Sequence, residues 1–127
     1  MERLKEALWG SAQGRVHVTE TDVAVGRFRF DEGFVGFQGH FPGRPLLPAV
    51  VQMMAALQVA GEAWGLEAGP GLSVDRAKFL LPLEPGAEIQ VQCTRRAAAG
   101  GTALEVRVHG GEGLAASFTL LSGEVPP

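Results

Sequence analysis

The chain has 127 residues, of which 46% are hydrophobic and 20% charged, and a formal net charge of −3. At roughly 150 residues per domain this predicts one domain, residues 1–127, with one ordinary core, and no apolar run approaches the roughly 20 residues of a membrane span. An acidic surface attracts neither nucleic acid nor an anionic membrane, so neither is expected as a partner, whereas a small neutral or anionic ligand fits.

The opening segment MERLKEALWGSAQG is charged and helix-periodic without an apolar h-region, so no secretory signal is expected and the cytoplasm is the default compartment. Val16 and Val18, Val23 and Val25, and Phe28 and Phe30 against Arg27 and Arg29 follow the period of two expected of strands. Pro42, Pro45 and Pro48 then stiffen a loop that carries His40 directly into a helix N-terminus. From Pro48 to about Trp64 the run PAVVQMMAALQVAGEAW is apolar on nearly every side, broken only by Gln52, Gln58, Gly61 and Glu62. It predicts a helix about 24 Å long that must be enclosed, with Pro48 in the first turn and Gly65 at the stop.

Ile89, Val91 and Cys93 alternate with Gln90, Gln92 and Thr94. After AAAGG, Leu104, Val106 and Val108 alternate with Glu105, Arg107 and His109, and after GGEG, Leu114, Ala116, Phe118 and Leu120 repeat the pattern. Joined by short Gly-rich turns, these three runs predict an antiparallel meander. An antiparallel sheet wrapped around one long buried helix, an α+β arrangement, accommodates every element. The single Cys93 has no disulfide partner within the chain and no metal-ligand spacing, and reads as an inward strand residue. His17 and His109 fall at outward strand positions, and Arg95 and Arg96 at a strand end.

The proline-rich loop also suggests chemistry. The free N–H groups of the first helical turn, around Ala49, form a partial positive charge suited to an oxyanion or a carbonyl oxygen. With the His40 imidazole nearby, the set has the character of a general base beside an electrophilic cradle.

The segment HFPGRPLLPAVVQMMAALQ resembles the H-F-P-x-x-P-x-x-P-G-V-x-x-x-E-A-x-x-Q signature of the FabA/FabZ family, the 3-hydroxyacyl-acyl-carrier-protein dehydratases, through His40, Phe41, Pro42, Pro45, Pro48, Val50, Ala55 and Gln58. A second block, VDRAKFLLPLEPGAEIQVQC, resembles the family's D-K-A-R-F-x-x-P-V-x-P-G-D-x-L segment through Asp75, Arg76, Ala77, Phe79, Pro82, Pro85 and Gly86. The resemblance implies the hotdog fold and a role in fatty acid biosynthesis. It also implies that His40 is the base that removes the substrate's C2 proton and that the Ala49 amide receives the thioester carbonyl. Phe41, Pro48, position 54 and Gln58 would line the acyl site.

In the family a Glu or Asp fourteen residues after the His protonates the departing 3-hydroxyl, and that position here is Met54. A thioether donates no proton, and one positioned acid or base supplies roughly 10²- to 10⁴-fold. Glu62 is about 12 Å further along the helix, and the Gln58 amide is no useful acid. The replacement of the family's Gly by Ala49 keeps the N–H that the cradle uses. Arg44, Arg76 and Lys78 read chiefly as solvated charges, with contact to a phosphopantetheine phosphate or an acidic carrier protein as the other reading.

The family's sites combine the His of one subunit with the acid of another, which implies a homodimer or higher homo-oligomer, or a mixed dimer with an acid-bearing chain. An acyl-carrier-protein or coenzyme A thioester is the implied ligand, and no cofactor or metal is implied. A non-catalytic acyl-binding module is the alternative to a dehydratase, and a hotdog thioesterase ranks below both because position 54 offers no carboxylate.

Overall fold

The computed structural model describes residues 2–34, 46–67, 69 and 71–123. Helix α1 spans Glu2–Gly10, strands β1 and β2 span His17–Glu20 and Val23–Arg29, and helix α2 spans Ala49–Trp64. Strands β3 to β6 follow at Leu72–Phe79, Glu88–Ala98, Gly101–Gly110 and Gly113–Gly123. The six strands form one sheet in the order β1-β2-β4-β5-β6-β3, and each neighbouring pair is antiparallel.

The expected meander is β4-β5-β6, with Val91 opposite Val108 and Val106 opposite Phe118. Strand β3 is not picked out by alternation, for a local reason. Its pairing with β6 shifts register between Asp75 and Lys78, and Arg76 in that shift has φ 52°, the left-handed region rarely adopted by a residue with a side chain. The extra residue throws Phe79 out of phase with Leu72 and Val74, so no period of two survives.

Helix α2 begins one residue after Pro48, which is its N-cap, and ends at Gly65, whose φ of 70° closes the helix through its N–H to the Gly61 carbonyl at 2.9 Å. Val51, Ala55, Ala56, Val59 and Ala60 bury one face against Ile89, Val91 and Cys93 of β4 and their neighbours on β5 and β6. The small residues allow a close approach: a Cβ added at Gly26 of β2 would stand 2.6 Å from Val59 Cγ2. The enclosure differs from the all-round burial expected of so apolar a helix. Val50 is 52% exposed and Met53, Met54 and Leu57 are only half-buried, so one stripe of α2 is open within the single chain.

One side-chain expectation changes. Arg95 is not at a strand end but inside β4, where its guanidinium lies 4.7 Å from the Trp64 ring centroid and its Nε donates to Asp22 Oδ1 at 3.1 Å. His109 keeps its outward place, opposite the exposed Gln90 of β4, but is half-buried there.

Candidate acyl-binding site

The N-terminal end of α2 is built from backbone alone. Pro48 provides no side-chain cap, and the first turn holds no acidic residue. The N–H groups of Val51 and Gln52 both turn back to the Pro48 carbonyl, at 3.1 and 3.2 Å. The amides of Ala49 and Val50 therefore stand ahead of the helix's own ladder, at the positive end of its dipole.

The segment entering this turn is anchored from two sides. The Leu47 N–H donates to the Leu83 carbonyl at 2.8 Å, and the Leu47 carbonyl accepts from Gln52 Nε2 at 3.2 Å. Leu47 and Leu83 are both buried. Gln52 was visible in the sequence only as a polar interruption of an apolar run.

Along the open stripe of α2, Met54, Leu57, Gln58 and Gly61 form one wall of a groove of about 780 Å³, and Lys5, Leu8 and Trp9 of α1 contribute to the rest. Met54 and Gln58 thus share one groove, one helical turn apart. Gln58 Oε1 is buried there without a hydrogen-bond partner among the described residues. The α1 residues in this groove carried no signal beyond the helical period of MERLKEALW. Glu62 also borders the groove, but its Oε1 accepts the Val16 N–H at 3.2 Å.

His40 and Phe41, the expected base and its neighbour, lie outside the described residues, as does Arg44. Arg76 and Lys78 line a different groove, on the outer face of the sheet, with Gln92 and Arg107. Cys93 is fully buried, its Sγ 3.6 Å from the Ala56 carbonyl, and burial pushes the thiol up to about 12, which removes it from nucleophilic chemistry at neutral pH. No group of three or more His, Cys, Asp or Glu side chains placed to hold a metal occurs among the described residues.

A six-stranded antiparallel sheet wrapped over one helix, with a groove along the open stripe of that helix, is the hotdog fold. The ApeI-like family, described as ApeI dehydratase, matches residues 16–118, and the chain belongs to this family. It is 35% identical over 121 residues to the 3-hydroxyacyl-[acyl-carrier-protein] dehydratase FabZ of Rhizorhabdus wittichii, a match covering 86% of this chain and 75% of the relative. It is 34% identical over 122 residues to FabZ of Alkaliphilus metalliredigens, covering 88% and 80%. Among solved structures, the dehydratase heterocomplex ApeI:P from Xenorhabdus doucetiae superposes with a TM-score of 0.65 at 22% identity, over 84% of this chain and 91% of that one.

Proposed function

We propose that this chain is a dehydratase-like protein for 3-hydroxyacyl thioesters carried on acyl-carrier protein, working in the cytoplasm in fatty acid or related acyl metabolism. The observation that carries the proposal is the start of α2, where the Ala49 N–H stands ahead of the helix ladder, with a groove bordered by Met54 and Gln58 further along the same helix. In this reading the Ala49 N–H donates to the thioester carbonyl oxygen, and His40 takes the C2 proton. The electron pair left at C2 forms the C2–C3 double bond as the C3–O bond breaks, and the hydroxyl leaves as water once it receives a proton. Pro48 and Phe41 flank the thioester, and the Gln58 amide contacts the bound chain.

Met54 brings no proton for that last step. It favours a second form of the same function, in which this chain is the His-bearing subunit of a mixed dimer and a carboxylic acid on the other chain protonates the leaving group. The relative from Xenorhabdus doucetiae is itself a heterocomplex. A third form, an acyl-binding module without turnover, follows if no acid is supplied.

Hydration of a 2-enoyl-pantetheine thioester, followed by the loss of its ultraviolet absorbance, tests these forms. We expect slow turnover by the unaltered protein, none by His40→Ala, and a gain of roughly 10²-fold or more in Met54→Glu. Equal background rates for all three proteins, in the presence and absence of an acid-bearing relative, would leave only the binding module. Calorimetry with loaded and unloaded acyl-carrier protein then decides, because equal affinities rule out an acyl pocket.

A further inference from the structure

We propose that Gln52 is a positioning residue for the acyl-thioester site: its amide holds the entry of α2 in the geometry that presents the Ala49 N–H. This rests on the function proposed above.

Gln52 is only 5% exposed and sits on the core face of α2 with Val51, Ala55, Ala56 and Val59 as buried neighbours along the helix. Side chains on a helix lean toward its N-terminus, so a long amide one turn inside reaches back over the start. The Gln52 Nε2 accordingly donates to the Leu47 carbonyl at 3.2 Å. Leu47 is held on its other side by its N–H to the Leu83 carbonyl at 2.8 Å. Two hydrogen bonds therefore fix the residue just before Pro48, and Pro48 fixes the φ of the next step at −66°. Gln52 supplies from inside the helix the restraint that a Ser or Asp cap normally supplies from outside, and it does so without occupying the free amides.

The chemistry of the site explains why this arrangement suits it. A conventional N-cap oxygen bonds the N–H groups of the first turn and brings electron density to the place where the thioester oxygen would bind. Gln52 instead bonds a carbonyl, on the core side, and leaves the turn open. Its Oε1 is buried with no hydrogen-bond partner among the described residues. A half-satisfied buried amide is a poor choice for stability alone, since an unmet buried acceptor is unfavourable. An apolar side chain would suit the core around it, so the amide is explained by what it holds.

Gln52→Met keeps the length and removes the polar atoms. Backbone ¹⁵N relaxation of Leu47, Ala49 and Val50 is compared with that of Ala55–Ala60, and affinity for an enoyl-pantetheine thioester is measured by calorimetry on the same proteins. We expect the first group to loosen while the second stays rigid, and the thioester to bind about tenfold more weakly. Unchanged order at Leu47–Val50, or loosening spread evenly along the helix, overturns the inference. So does unchanged affinity. Failure of the unaltered protein to bind the thioester at all defeats the proposed function and this inference with it, whereas tight binding that ignores Gln52→Met defeats the inference alone.

Discussion

Gly26 carries no side chain because β2 runs against α2 there. With Val59 Cγ2 only 2.6 Å from where a Cβ would be, Gly26→Ala must push the helix or the strand aside. Overpacking of this kind costs about 1–3 kcal/mol, and chemical denaturation of Gly26→Ala is expected to show a loss in that range. Cys93 makes a second prediction at the same scale. Burial raises its thiol from 9.0 to about 12, so the folded chain keeps its proton where the unfolded chain gives it up. Below about pH 9 both states hold the proton and stability is unaffected; as pH rises from there toward 12 the unfolded state is favoured, by up to about 1.4 kcal/mol per pH unit. A Cys93→Ala variant, compared with the unaltered protein by denaturation at pH 8 and pH 10, should lack that part of the alkaline decline. Iodoacetamide at pH 8 should modify Cys93 only in denaturant.

Helix α2 is held at each end by a different device, and the far end is the easier to test. The Trp64 Nε1 donates to the Thr21 carbonyl at 3.3 Å, Arg95 stacks on the Trp64 ring, and the same guanidinium reaches Asp22. The end of the helix is thereby joined to the β1–β2 turn and to β4. Arg95→Ala should lower stability by about 0.7–2 kcal/mol, read as a fall in Tm, because an exposed cation–π contact contributes about 0.5–1 kcal/mol and an exposed ion pair about 0.2–1 kcal/mol. Arg95→Lys should restore only part of it, since an ammonium lacks the planar fork that stacks and pairs together. At the near end there is no side-chain cap, and the entry is held by Gln52 Nε2 to the Leu47 carbonyl and by the Leu47 N–H to the Leu83 carbonyl.

For the whole molecule the telling feature is what the single chain leaves uncovered. The stripe of α2 through Val50 and Met54 is open, and the last strand of the sheet, β3, carries the exposed Val74 and Phe79 on an edge unpaired among the described residues. Apolar residues on an unpaired strand edge invite pairing with another chain. We expect sedimentation velocity to give a mass at least twice the 13.4 kDa of the chain, and expect Phe79→Lys to shift that distribution toward monomer. Addition of an acid-bearing FabZ-type chain should raise enoyl-thioester hydration if a mixed site forms, and should leave it unchanged if this chain only binds.

Much of this was legible in the residues. The alternation along most of β4, β5 and β6 follows from a sheet with one buried face, and the period of two reports that directly. The helix bounded by Pro48 and Gly65 is likewise a local fact of the sequence. What the chain order could not express are relations between distant segments: the bulge at Arg76 that hides β3, the pairing of Arg95 with Trp64, the α1 wall facing Met54, and the reach of Gln52 back to Leu47. Period and punctuation are set by neighbours in sequence. Which stripe of so apolar a helix meets the sheet, and which stays open as a groove, depends on how the sheet curls around it, and only the packed structure decides that.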